Sequence, residues 1–257
     1  TLYLMYGASN VMCDFFINIS DRISENKPRL SYGIAVTDVN KDGADELVFY
    51  DITASADGRA IVMDLVRQVS EQVFIPLTVG GGIRSFSDVR TILKSGADKV
   101  SINSAHVHTP DIINETSESF GSQCIVAAVD VLRKPVGPEE PPEWEIYING
   151  GRKPTGINAL EWIEELVFRG AGELVLNSID ADGTLEGYDI DLNLEVSQKV
   201  NVPIVASGGA GSMEHIHEVL TLGRASAALA ASIFHYGQHS IPEVKQFLNE
   251  RGVIVRL

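Results

Sequence analysis

Gly43-Ala44-Asp45-Glu46-Leu47-Val48 returns as Gly170-Ala171-Gly172-Glu173-Leu174-Val175, at an offset of 127 residues, 170 less 43. The same offset pairs Pro76 with Pro203, Gly81-Gly82 with Gly208-Gly209, Ser85 with Ser212, Val89 with Ile216, Leu93 with Leu220 and Gly96 with Gly223. An ungapped match of this length marks a duplicated supersecondary block. Each block opens on a short apolar run, and seven such runs occur: Leu47 to Tyr50, Leu77 to Val79, Val100 to Ile102, Ile125 to Val129, Leu174 to Leu176, Ile204 to Ala206 and Ala227 to Ala230. Their length and flanking turn residues predict strands. Between them Ile61, Val62, Leu65, Val66, Val69 and Val73, or Phe86, Val89, Ile92 and Leu93, recur at helical spacing and place one apolar face on each helix. Repeated strand-helix units imply a parallel sheet.

Two homologous halves of four units each require an eighth strand in the first 40 residues, from Thr1 to Tyr6 or from Met12 to Ile19. The expectation is an α/β fold, a (β/α)8 TIM barrel of two half-barrels forming one domain over 1–257, with 1–42 its atypical part. The 257 residues match the length of about 250 usual for that fold. Arg133 to Glu143, rich in proline and charge, reads as a mobile loop or hairpin after the fifth strand.

The formal charge of -15 leaves no basic footprint for nucleic acid or for an anionic membrane. An anionic ligand would therefore be held by local N–H groups and a few placed cations. Cys13 and Cys124 have neither CxxC spacing nor a zinc-ligand pattern, which fits a reducing cytoplasm and predicts no metal or other cofactor. Thr1 to Ile19 lacks the charged start of a signal peptide and is too interrupted for a membrane span.

Val79-Gly80-Gly81-Gly82-Ile83 and Ala206-Ser207-Gly208-Gly209-Ala210-Gly211 each end a strand and open a helix. Glycine lets backbone N–H groups approach a phosphate, although it also serves tight turns for their own sake. Two such turns related by the internal offset point to a substrate with two phosphates. Asn103-Ser104 and Ala231-Ser232, at the ends of the fourth and last strands, either complete those sites or cap helices. Asp130 follows Ile125 to Val129, where barrel enzymes carry acids and bases, and is the candidate catalytic carboxylate. Asp51, Asp180 and Asp182 end other strands, and Asp182-Gly183 also suits a turn. His106-x-His108 and His215-x-His217 read as surface histidines rather than metal ligands.

DELVFYDITAS (45–55), TVGGGIRS (78–85), GADKVSIN (96–103), the Asp130 strand, GGRKPTG (150–156), GAGELVLNSIDADGT (170–184), ASGGAG (206–211) and AALAASIFH (227–235) together resemble the cyclase subunits of imidazole glycerol phosphate synthase. The resemblance runs from about Gly43 to Leu257. It implies a histidine-biosynthesis lyase acting on phosphoribulosyl-formimino aminoimidazole carboxamide ribotide plus ammonia. Its products would be imidazole glycerol phosphate and aminoimidazole carboxamide ribotide. It also implies phosphate contacts at Gly82, Asn103 and Ser104 on one side, and at Asp182, Gly183, Gly209, Ala231 and Ser232 on the other. Glu46, Lys99 and Glu173 would gate an ammonia entrance at the barrel floor, and Asp98 would face a glutaminase partner that completes a heterodimer. Neither cysteine has a GxCxG surround, so ammonia would come from that partner.

The opening departs from the family pattern. Val11 and Ile19 stand where the family's first-strand aspartate and following lysine are expected, and Met5 stands where a gating arginine is expected. Asp14 is the nearest substitute carboxylate. Two rival readings follow. One is a catalytically silent barrel that binds bisphosphate or a glutaminase; the other is the sister sugar-phosphate isomerase, against which the gating charges and the SIN, NSIDADGT and ASGGAG segments argue.

Overall fold

A computed structural model of the chain describes residues 2–6, 43–50, 63–137 and 140–257. Met12 to Ile19, Val11, Asp14 and Asp51 lie outside the described residues. All seven apolar runs are strands, and the eighth is Leu2–Tyr6. The strands in chain order are β1 (Leu2–Tyr6), β2 (Glu46–Tyr50), β3 (Leu77–Gly80), β4 (Lys99–Ile102), β5 (Ile125–Arg133), β6 (Trp144–Ile148), β7 (Lys153–Asn158), β8 (Glu173–Ser178), β9 (Ile204–Ser207) and β10 (Ala227–Ala230). β1 pairs in parallel with both β2 and β10, and β4 pairs with β5, so β1, β2, β3, β4, β5, β8, β9 and β10 close a parallel ring. Met5 is the register partner of Val48.

The apolar runs are continuous because each strand is buried on both faces. One face of β2 to β5 and β8 to β10 sends Leu47, Phe49, Val79, Ile102, Ala127, Leu174 and their neighbours into the core under the helices. The other face sends Val48, Val126, Ala128, Val175, Val205, Ala227 and Leu229 into a second cluster that fills the barrel. Period-two alternation then assigns the polar strand ends to the barrel interior. Glu46, Lys99 and Glu173 enter at the strand starts, and Asp130, Asn177 and Ser207 come near the strand ends. The interior is layered as polar floor, apolar middle and polar mouth.

The duplication persists in backbone detail. Gly81 and Gly82 have φ of 96° and 65°, and their equivalents Gly208 and Gly209 have 92° and 101°, conformations that suit glycine. Ser85 and Ser212, also equivalent, cap the helices Phe86–Lys94 and Met213–Thr221 by accepting from the N–H of Asp88 and His215. The Arg133 to Glu143 stretch is resolved in favour of a hairpin arrangement. β5 runs on to Arg133 and pairs antiparallel with β6, which pairs antiparallel with β7. Sequence reading had named neither β6 nor β7 as strands.

Candidate active site

Asp130 occupies the inward face of β5 two residues beyond Ala128, and is only 6% exposed. It is not the last residue of its strand, as the apolar run suggested, because pairing with β6 extends β5 by three residues. Its register partner on β8 is Asn177, whose Nδ2 donates to Asp130 Oδ1 at 3.1 Å. Asn177 Oδ1 in turn accepts from Ser207 Oγ of β9 at 3.2 Å. This chain across three adjacent strands fixes one carboxylate oxygen. The other, Oδ2, is buried with no hydrogen-bond partner among the described residues. Burial pushes the Asp130 pKa up; Asn177, then Asn103 and the Gly151 N–H oppose the rise, and the charge of Asp182 adds to it. A buried carboxyl with one oxygen held and the other unpartnered, and with a raised pKa, is suited to giving and taking a proton.

The two glycine turns flank this carboxyl. β3 and β4 lie on one arc of the ring, β9 and β10 on another, and β5 and β8 stand between them. Asn103 occupies the N-cap position of the short helix Ser104–His108 but makes no side-chain cap; its side chain acts on Asp130 instead. Ser104 Oγ accepts from the N–H of Asn149, at the tip of the β6–β7 hairpin, at 2.9 Å. On the other arc Ala231 precedes the helix Ser232–His235, again without a side-chain cap. A Cβ on Gly209 would collide with the Gly187 carbonyl, so the absent side chain there is needed by the fold itself. Asp182 is exposed at the rim, its N–H donating to Ser178 O at 2.9 Å. Gly183, with φ of 78°, lies in the Ala181 to Thr184 turn, so the turn reading of Asp182-Gly183 is realised. Beside this loop, a cleft of about 360 Å³ lined by Arg133, Ser178, Asp180, Thr184 and Tyr188 lies next to Asp130's strand.

At the floor, Lys99 Nζ lies 2.8 Å from Glu46 Oε2 and 2.9 Å from Glu173 Oε2. The two glutamates are equivalents under the internal repeat, and the single lysine bridges the halves. Thr78 Oγ1 donates to Glu46 Oε1 at 2.6 Å. Asp98 is exposed, and its Oδ2 accepts from the Leu77 N–H at 2.8 Å.

The reading of all four histidines as surface groups is corrected. His108 is exposed, but His106 is 1% exposed, and His215 is half-buried with its Nδ1 accepting from the Gly211 N–H at 3.2 Å. His106 is turned inward, with its Nε2 2.9 Å from the carbonyl oxygen of Ala128 on β5. Among the described residues no group of three or more His, Cys, Asp or Glu could hold a metal ion, and no helix is long and apolar enough to cross a membrane. Sequence reading missed Asn177 and Ser207. The available signal was their position directly after apolar runs, facing inward at the level of Asp130.

Residues 31–240 match the family model described as "Histidine biosynthesis protein". An "Imidazole glycerol phosphate synthase subunit HisF" of Symbiobacterium thermophilum is 55% identical over 217 residues, which is 84% of this chain and 84% of the relative. One of the same description from Nostoc sp. is 55% identical over 218 residues, covering 85% of this chain and 83% of the relative.

Proposed function

The chain belongs to the histidine biosynthesis protein family, and from that premise we propose that it is the cyclase of an imidazole glycerol phosphate synthase. It converts phosphoribulosyl-formimino aminoimidazole carboxamide ribotide and ammonia to imidazole glycerol phosphate and aminoimidazole carboxamide ribotide. The observation that carries the site assignment is the buried, half-satisfied Asp130 carboxyl standing between two repeat-related glycine turns. One substrate phosphate is held at Gly82, Asn103 and Ser104. The other is held at Gly183, Gly209, Ala231 and Ser232, with Asp182 at the rim. Binding at both ends stretches the substrate across the mouth and brings its ribulosyl carbon over Asp130. Addition of ammonia there and the later ring closure each require protons to move, and Asp130 Oδ2, which has no hydrogen-bond partner among the described residues, is the oxygen that exchanges them.

Ammonia enters from the floor past Glu46, Lys99 and Glu173. The supplier is a glutaminase subunit docked on that end, where Asp98, Phe74, Phe168 and Leu222 are exposed in the segments leading into β4, β3, β8 and β10. Phe74 and Phe168 are 87% and 86% exposed, which suits an apolar contact. The description of the relatives as a subunit supports the same assembly, and the reaction belongs in the cytoplasm.

Ammonia-dependent turnover of the ribulosyl bisphosphate, measured at mildly alkaline pH with ammonium salt, tests the assignment. Asp130→Asn should lower turnover by about 10²- to 10⁴-fold while leaving substrate binding intact. Undiminished turnover in the variant sinks the role of Asp130. A wild-type chain that binds substrate without turning it over is a silent barrel and not an enzyme.

A further inference from the structure

We propose that His106 is a positioning residue that locks the phosphate-contacting turn at Ser104 to the strand that carries Asp130. The inference deepens the reading above and rests on it for the role of Ser104. His106 lies on the helix Ser104–His108, two residues after Ser104, and its ring stands between β5 and the helix Ala159–Phe168. Both ring nitrogens are engaged there. Nε2 is 2.9 Å from the carbonyl oxygen of Ala128, and Nδ1 is 3.1 Å from the indole Nε1 of Trp162.

The partners settle the tautomer. A carbonyl oxygen only accepts, so Nε2 carries the proton; an indole N–H only donates, so Nδ1 is bare. A protonated ring would set two N–H groups against each other at Trp162. The ring is therefore neutral by construction, and burial, which pulls its pKa down to about 4, acts in the same direction. A charge switch is thereby excluded, and what remains is a two-ended strut.

The strut has a reason in the sheet. β4 pairs with β5 only as far as Ile102 opposite Ala127. Beyond that point β4 turns into the Asn103-Ser104 corner, and the next β5 residue, Ala128, faces a ring nitrogen where a β4 N–H would have continued the ladder. His106 thus fills a hydrogen-bonding position that the corner itself vacates. It ties the corner to a residue two positions before Asp130. At the same corner, Ser104 Oγ accepts from the Asn149 N–H of the hairpin tip. That hydroxyl gives its own proton to Asn103 Oδ1 over a long 3.4 Å, a bond that a phosphate oxygen can replace. The corner is consequently held both by His106, through Ala128, and by Asn149, through Ser104, and its position relative to Asp130 is set by both.

Inorganic phosphate binding to the full chain, measured by titration calorimetry, tests the strut without requiring turnover. Trp162→Phe, which leaves His106 Nδ1 without its donor, should weaken phosphate binding in the same direction as loss of the imidazole. His106→Leu should weaken phosphate binding about tenfold and raise the KM of the bisphosphate without altering that of ammonia. His106→Gln, whose carboxamide offers an NH2 donor for Ala128 and an oxygen acceptor for Trp162, should restore most of the loss. A merely structural role predicts instead that Leu and Gln lower stability alike and leave the KM values in their original ratio. Should His106→Leu fail to fold, the Gln variant and Trp162→Phe, which removes a single bond, carry the comparison. Equal phosphate affinity in wild type and variants overturns the strut alone. Phosphate that does not bind the wild-type chain overturns the Ser104 site and the strut with it.

Discussion

At the scale of single residues, the proposed chemistry rests on how one carboxyl is partnered. Asn177 stabilises the charged form of Asp130 against a burial that favours the neutral one. Removing the amide by Asn177→Ala removes the largest of the opposing contributions, so the Asp130 pKa must rise further. The limb of the pH–rate profile that belongs to Asp130 should therefore move to higher pH in Asn177→Ala, and a limb that stays in place or moves down refutes the pairing. Asp130 was legible in the sequence because it follows an uninterrupted apolar run. Asn177 was not, since an amide after a strand serves equally well as a cap, and only its register opposite Asp130 across β5 and β8 gives it this role. His106 was misread for a related reason. Sequence spacing cannot tell which side of a five-residue helix meets the sheet.

At the scale of elements, the β6–β7 hairpin spans the ends of β4, β5 and β8, three neighbours in the ring. Its base is anchored by Trp144, whose Nε1 donates to Asp189 Oδ2 at 2.8 Å. Arg133 Nη2, at the end of β5, binds Asp189 Oδ1 at 2.8 Å, and that same oxygen caps the helix Ile190–Lys199 by accepting from the Leu192 N–H. The hairpin tip, with Asn149, Gly150 and Gly151 all at positive φ, meets Ser104 and approaches Asp130. Asp189 is therefore a junction of cap, ion pair and indole contact. Its replacement by Ala should destabilise the fold by about 2–4 kcal/mol, combining a lost cap with a stranded Trp144 N–H. Urea unfolding measures this, and a loss below about 1 kcal/mol would show that the junction is redundant. The hairpin escaped sequence reading because the prolines and charges before it read as loop, while the alternation of Trp144, Ile146 and Ile148 is too short to stand out.

At the scale of the whole molecule, the layered interior separates two polar ends of different make-up, to which different tasks are proposed. The floor carries a lysine between two glutamates and is surrounded by exposed aromatic side chains; the mouth carries the carboxyl and the glycine turns. Phe168→Glu and Phe74→Glu alter only the floor surface. With a glutaminase subunit, each should weaken the complex about tenfold or more and reduce glutamine-dependent turnover, while ammonia-dependent turnover of the isolated chain stays at its original level. Equal loss in both assays would show that the floor surface supports the barrel rather than a partner.

The sequence by itself determined the duplication, the number and order of the barrel strands from β2 onward, both glycine turns and the strand bearing Asp130. Each of these follows from local rules, namely a period of two or 3.6, a glycine at positive φ, or a serine cap, and such rules act within a few residues. It left open which opening segment supplies the first strand, and only the pairing of Leu2–Tyr6 with both β2 and β10 decided it. The tertiary structure alone also decided that Lys99 joins Glu46 to Glu173, that Asn177 meets Asp130 and that His106 reaches Ala128. These contacts join residues 22 to 74 positions apart. Closure of a twisted sheet fixes which inward side chains face one another, and that geometry is a property of the whole ring and of no single segment.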